Sequence, residues 1–320
     1  MNQVEPSIKR SCALFTTCSN EISSRTKAMH IQECKAYSSG DYLSQGFGSS
    51  THDSFGQRLP LHQQMRICKS EAATKKVDAI YRGKLSNWCF QVADHCQIDH
   101  ETVGIAISYL DRFLSTKLGN PALQCRKTFQ LATMTSLYMA VKIFEHEVIE
   151  PSEFALISRG VCTEKDITDM EMNILFALGW RVQPPTALSF VRHFLALISS
   201  FHEIDELMLH NLYALSQLQI NVSVNEYYFV SVKPSTVAVA SILNSADAVA
   251  NSILSKSLPS SFVATLRKQG LIWVPEREIK HVQDKLLEGI AVSEVNHDDR
   301  NRLLRKFSRS PSTVLYQLWS

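Results

Sequence analysis

From residue 72 onward the apolar positions recur at steps of three and four, the spacing of one face of an α-helix. Val77, Ile80, Tyr81, Leu85, Trp88 and Val92 form the first stripe. Asp99 is placed to cap a second helix that carries Val103, Ala106, Ile107, Leu110, Phe113 and Leu114. A third helix opens near Pro121, a residue suited to a first turn, and runs through Phe129, Leu131, Met134, Leu137, Tyr138, Ala140 and Val141. It has little polar face left, which predicts a central helix surrounded by the others. A short helix is predicted over residues 151–158. Thr163-Glu164-Lys165-Asp166 then has the form of a capping box opening a fifth helix, with Ile167, Met170, Ile174, Leu175 and Leu178 on one side. Gly179 suits its end, and Pro184-Pro185 marks a boundary.

A second helical series follows, over residues 187–198, 204–222, 234–250, 262–271 and 276–290. Five helices on each side of the boundary imply a structural duplication, although the halves share little residue identity. The best strand signals, at 221–224 and 227–232, fit helix ends equally well. Before all this, residues 1–61 are rich in Ser, Thr, Gln and Gly and have no sustained period. The expected architecture is therefore all-α: two tandem five-helix domains at 66–184 and 185–292, preceded by a disordered arm at 1–65 and followed by a basic tail at 293–320.

Charge and cysteine usage narrow the function. The 33 basic and 31 acidic residues leave a net charge of +2, too little to draw the chain onto nucleic acid or an anionic membrane. The 8 cysteines are scattered without a C-x-x-C pair; this reads as reduced thiols in an intracellular protein, against a disulfide framework or a zinc site. No apolar run suggests a signal peptide or a membrane span, so the nucleus or the cytoplasm is the expected location. His146, His193 and His210 show no metal-ligand spacing. No glycine-rich phosphate loop, activated nucleophile or paired metal ligands are present, so we expect neither an enzyme nor a cofactor. We read the sequon Asn221-Val222-Ser223, on a predicted helix, as a chance match.

Four charged residues stand out against these apolar helices. Arg82 and Asp111 interrupt the first two stripes, and opposite charges inside a bundle cost least when paired. Lys142 and Glu171 instead fall where apolar helices meet solvent. Together with the segment Tyr109-Leu110-Asp111-Arg112-Phe113-Leu114-Ser115 and the 11-residue step from Leu131 to Lys142, these positions resemble the first box of a cyclin. The five positions that define that box, Arg82, Asp111, Leu131, Lys142 and Glu171, all match. A weaker resemblance covers the second half, at Tyr213-Ala214-Leu215, Glu226-Tyr227-Tyr228-Phe229 and Lys233-Pro234-Ser235-Thr236-Val237-Ala238.

The resemblance implies a structural role for Arg82, Asp111 and Leu131. It places Lys142, Glu171 and the adjoining Ile143 in a groove that receives the C-helix of a cyclin-dependent protein kinase. A lysine there can donate to carbonyls at a helix C-terminus, and a carboxylate can accept from the facing chain. The implied function is allosteric activation of that kinase in cell-cycle control, with the ATP and magnesium chemistry belonging to the partner. The alternatives are a transcription-factor-like member of the same fold that binds nucleic acid, and a helical scaffold with no kinase partner.

The chain also departs from the family pattern. Many cell-cycle cyclins dock Arg-x-Leu substrates on an apolar patch of the first helix. The corresponding positions here are Tyr81, Leu85 and Trp88, but Lys84 stands among them and would repel a basic peptide. The acidic pair that commonly follows the groove lysine is altered to Glu145-His146-Glu147, which would change the groove rim. In the arm, Arg58-Leu59-Pro60-Leu61 resembles the core of a cyclin destruction signal but lacks its later Asn. In the tail, Ser310-Pro311 follows a basic run containing Arg305-Lys306 and has the form of a proline-directed phosphorylation site.

Overall fold

The computed structural model describes residues 19–44, 76–146, 150–158, 162–201, 204–249, 253–272 and 274–304. Among them the regular structure is entirely helical. In chain order the helices are α1 (Ser19–Lys35), α2 (Ala79–Cys96), α3 (His100–Leu114), α4 (Asn120–Gln124), α5 (Arg126–Phe144), α6 (Pro151–Ile157), α7 (Glu164–Ala177), α8 (Ala187–Phe201), α9 (Glu206–Asn225), α10 (Pro234–Val249), α11 (Ile253–Lys268) and α12 (Glu276–Leu304), with a 3₁₀ turn at Tyr227–Ser231. None of the described helices is long and apolar enough to cross a membrane.

Local signals set many of the ends. The Asp99 carboxylate accepts from Glu101 N at 2.9 Å and caps α3. At the start of α7, Thr163 Oγ1 accepts from Asp166 N at 3.2 Å while the Asp166 carboxylate accepts from Thr163 N at 2.8 Å, a reciprocal capping box. Gly179 takes φ +57° just beyond the end of α7, a conformation open to glycine because it lacks Cβ.

The third predicted helix is in fact two. Cys125 is extended, with φ −137° and ψ 112°, and separates one turn of helix at Pro121 from the long α5. The cause is non-local: the Leu123 carbonyl accepts from Val77 N at 3.1 Å and so fixes the entry to α2 instead of continuing a helix. Gly119, before α4, lies so close to the preceding turn that a Cβ would stand 2.2 Å from the Phe113 carbonyl oxygen.

Two compact units divide the chain. The first holds Ser38–Pro184 with Val224–Ser231. Here α5 packs against α2, α3, α4, α6 and α7, and from Phe129 to Val141 every residue but the partly buried Leu131 is buried. Trp88, Tyr109, Phe113, Phe129 and Phe154 fill the centre of this core. The second unit holds α1 with Pro185–Ser223 and Val232–His297, and there α8 packs against α1, α10 and α11. Its interior carries an amide network linking three helices. The Gln219 amide nitrogen donates to Ser241 O (3.1 Å) and Ser245 Oγ (3.0 Å), that of Asn244 to Gln219 Oε1 (3.0 Å), and that of Gln283 to Asn244 Oδ1 (2.9 Å).

The disordered arm expected at 1–65 is corrected over residues 19–44. There α1 packs on α8 with Ile22, Thr26 and Glu33 buried. Glu33 accepts from Ser235 N at 2.9 Å and from Ser235 Oγ at 2.5 Å, so its carboxylate caps the first turn of α10 from another helix. The stretch after α1 is equally fixed within the first unit. Tyr42 is buried there, and Gly40 N donates to Ser115 Oγ at 3.1 Å.

Burial separates the thiols: Cys89 and Cys162 are each pushed up to about 12 by desolvation, while Cys34 and Cys96 are exposed. Among the described thiols, iodoacetamide at neutral pH should therefore modify Cys34 and Cys96 of the folded, metal-free chain first, and Cys89 and Cys162 only on unfolding. Peptide mass spectrometry over a time course checks this. In α8, burial holds His193 below its ordinary pKa, only partly opposed by its bond to the Ser189 carbonyl (2.7 Å). The unfolded chain then binds this proton first as pH falls through about 6.5, so stability drops below that pH and levels off under the folded pKa. A His193→Gln variant should show a flatter stability profile between about pH 7 and 5 in denaturant titrations.

Candidate functional site

Two ion pairs of opposite character sit on the helices of the first unit. The inner one joins α2 to α3. Arg82 Nη2 lies 2.7 Å from Asp111 Oδ2 and Arg82 Nε 3.2 Å from Asp111 Oδ1, with both side chains at least nine-tenths buried. Burial opposes the charge on Arg82, but Asp111 more than offsets it and raises the guanidinium pKa. The remaining valences are filled by groups remote in sequence. Tyr42 OH donates to Asp111 Oδ1 at 2.7 Å, and Arg82 Nη1 donates to the Val224 carbonyl. Ser86 Oγ donates to that same carbonyl at 3.3 Å. Gly83 leaves room beside it, since a Cβ there would stand 3.1 Å from Asn225 O. Desolvation, then the Asp111 charge, pushes the Tyr42 hydroxyl well above the usual phenol range, so it stays a donor.

Leu131 is only partly buried at the edge of this core. Tyr227, in the 3₁₀ turn, closes the arrangement: its hydroxyl donates to Asp41 Oδ1 at 2.8 Å and accepts from Leu43 N at 2.9 Å. Its ring meets that of Tyr42 edge-on, with centroids 5.3 Å apart.

The outer pair joins the last turn of α5 to α7. Lys142 Nζ lies 3.2 Å from Glu171 Oε1 and 3.5 Å from Oε2, with 49% of the lysine side chain and 15% of the glutamate exposed. Desolvation disfavours the ammonium, yet the hydrogen bond and charge of Glu171 outweigh it and raise the Lys142 pKa. Nζ also stands 5.5 Å from the centroid of the Tyr138 ring. A lysine in the last turn suits the negative end of the helix dipole. The same two helices expose apolar side chains. Ile143 is 40% exposed and its neighbour Phe144 36%, and α7 exposes Met172 and Phe176 one turn apart. Phe144, Met172 and Phe176 are absent from the sequence-predicted site, although each lies off the buried stripe of its helix, which is the signal that could have found them.

The expected substrate-docking patch is corrected. Tyr81, Leu85 and Trp88 are all core residues, at 4%, 1% and 0% exposed. Tyr81 accepts a hydrogen bond from Gln130 Nε2 at 2.6 Å and carries the Arg126 guanidinium 4.2 Å above its ring. Lys84 is exposed. The altered rim is also placed differently: Glu145 Oε1 accepts from Thr102 Oγ1 (2.5 Å) and Asp99 N (3.2 Å), tying the end of α5 to the start of α3. Glu147, Arg58, Leu61 and Ser310 lie outside the described residues.

Residues 54–183 match the family model described as the cyclin N-terminal domain. A putative cyclin-A3-1 of Arabidopsis thaliana is 32% identical over 173 residues, 54% of this chain and 46% of that protein. Cyclin-A3-3 of the same plant is 29% identical over 184 residues, 57% of this chain and 52% of that protein. The matches thus span about half the length of these relatives. Among solved structures, a viral cyclin from herpesvirus saimiri superposes with a TM-score of 0.50 at 18% identity, over 67% of this chain and 88% of that one; this likeness is one of fold.

The inner pair predicts its own test. Asp111→Ala leaves Arg82 charged and buried without its partner and should cost about 3–5 kcal/mol. Tyr42→Phe removes one hydrogen bond to a charged group and should cost roughly 1.5–3 kcal/mol. Urea titration of both variants reads the difference.

Proposed function

We propose that this chain, whose residues 54–183 match the cyclin N-terminal domain, is a cyclin and the regulatory subunit of a cyclin-dependent serine/threonine protein kinase, acting in cell-cycle control. It has no chemistry of its own in this reading. The observation that supports it is the partly exposed Lys142–Glu171 pair, which bridges two helices that expose Ile143, Phe144, Met172 and Phe176. Such a surface suits an amphipathic helix. Apolar side chains supply burial, while the two charges fix register by meeting backbone and side-chain groups of the partner.

The self-paired state of Lys142 bears on the mechanism. In the free chain neither charge is left without a partner, so the surface is stable before binding. A kinase C-helix that offers carbonyls to Lys142 and donors to Glu171 replaces one set of contacts with another as water is excluded. The kinase conformation able to make those contacts is the one the cyclin selects, and population moves to it in proportion to the difference in affinity. The burial of Tyr81, Leu85 and Trp88 supports a substrate choice that does not rely on a first-helix apolar patch.

Co-purification with a panel of cyclin-dependent kinases, followed by phosphorylation assays on a generic substrate, tests the reading. Lys142→Ala and Glu171→Ala should each weaken binding by about 2–5 kcal/mol and lower activation in parallel. Their unfolding transitions should stay close to that of the parent, because the pair is partly exposed. Full binding by both variants would remove the proposed surface; absence of binding to every kinase by the parent chain would remove the proposed function.

A further inference from the structure

One cluster of ligand-type side chains among the described residues lies on α1, in the second unit. His30 Nδ1, a Glu33 carboxylate oxygen and Cys34 Sγ lie within 4.8 Å of one another. Their spacing, i, i+3 and i+4, puts all three on one face of the helix. His30 Nδ1 is buried and approaches Glu33 Oε1 to 2.6 Å, an ion pair when the ring is protonated, without the alignment of a hydrogen bond. Two electron-rich atoms at that distance require a proton or a metal cation between them. A buried hydroxyl shares a cavity with His30. Thr236 is 3% exposed, its Oγ1 has no hydrogen-bond partner, and it lines the same small cavity as His30, with Ser235, Val239, Leu271 and Ile279. Native proteins rarely leave a buried hydroxyl without something to satisfy it.

We propose that His30, Glu33 and Cys34 bind a zinc-class divalent cation, which fastens α1 to the start of α10. The donor set of imidazole nitrogen, carboxylate oxygen and thiolate sulfur is the one a borderline-soft ion takes, and not one for calcium or magnesium. Metal bonds of about 2.0–2.3 Å require ligand atoms roughly 3.3–3.8 Å apart, a modest rearrangement of the present cluster. Charge balances: the Cys34 thiol releases one proton, and the thiolate and the Glu33 carboxylate together neutralise the two positive charges. That neutrality matters at this place, because a bare cation at the N-terminal end of α10 would oppose the helix dipole. Glu33 already bridges the two helices through Ser235, so the ion adds to an existing contact. A water in the fourth coordination position would give the Thr236 hydroxyl its missing partner.

The test uses the full chain, stripped with a chelator and titrated with Co²⁺. One equivalent should produce tetrahedral d–d bands and a near-ultraviolet thiolate charge-transfer band, displaced by Zn²⁺. His30→Ala and Cys34→Ser should each abolish the spectrum, while Cys96→Ser, at another exposed thiol, should leave it unchanged. Bound zinc should also slow alkylation of Cys34 at least tenfold without protecting Cys96. No thiolate band at micromolar cobalt overturns the proposal and leaves water as the occupant of the cavity. A band that survives in both ligand variants overturns it as well, by assigning the metal elsewhere. Neither result depends on kinase binding.

Discussion

The first unit is organised around an ion pair that the interior tolerates only when every polar atom is satisfied. Removing a guanidinium and a carboxylate from water costs several kcal/mol each, and their mutual attraction offsets this only with further hydrogen bonds. Arg82 and Asp111 obtain those bonds from Tyr42 and from the Val224 carbonyl. The consequence is topological. Neither group lies within the 54–183 segment that matches the family model, so the unit must recruit residues 38–44 from before it and 224–231 from far beyond it. Tyr227 joins the two recruits through Asp41 and Leu43. A chain cut at the family boundary would keep the five defining positions and lose the groups that make two of them affordable in the core.

The second ion pair obeys a different rule because its environment differs. At Lys142, half of whose side chain is exposed, solvent competes for the charge, so the pair contributes less to stability than the inner one and can be exchanged for other partners. Geometry divides the labour between the pairs: the one that cannot be opened holds α2 on α3, and the one that can be opened bridges two helices that expose apolar side chains. A buried lysine at position 142 would be rigid and inaccessible, whereas a fully solvated one would lack a defined direction. The shared contact with Glu171 and the Tyr138 ring fixes its direction without enclosing it.

What could be read from the chain follows the range of the forces involved. The all-helical architecture, the Asp99 cap, the Thr163 capping box and the burial of α5 depend on period and on neighbours within four residues, and these were legible. The break at Cys125 was not, because it rests on a hydrogen bond to Val77, 46 positions from the Leu123 carbonyl that accepts it. Helix α1 was hidden for another reason. Its docked face includes Thr26 and Glu33 beside Ile22, so it presents too few apolar positions to show a stripe, and its attachment runs through a carboxylate. Leu85 and Trp88 were assigned to a surface patch by position in a motif. The apolar stripe that includes both already pointed to burial, and the 3₁₀ turn at Tyr227–Ser231 is among the elements that cover α2.

The weak sequence likeness between the halves has the same physical origin. Apolar cores tolerate wide substitution provided volume and pattern are kept, so residue identity decays fastest where packing alone decides. Buried polar groups lack that freedom, since each must find a partner of the right geometry. The first unit specifies itself through a charged pair. The second does so through neutral amides, with Gln219, Asn244 and Gln283 locking α9, α10 and α12 together. Two helical units can thus share a pattern of apolar faces and still differ at the positions that fix each one's register. Those polar positions, more than the apolar ones, are where each half of this chain distinguishes itself from the other.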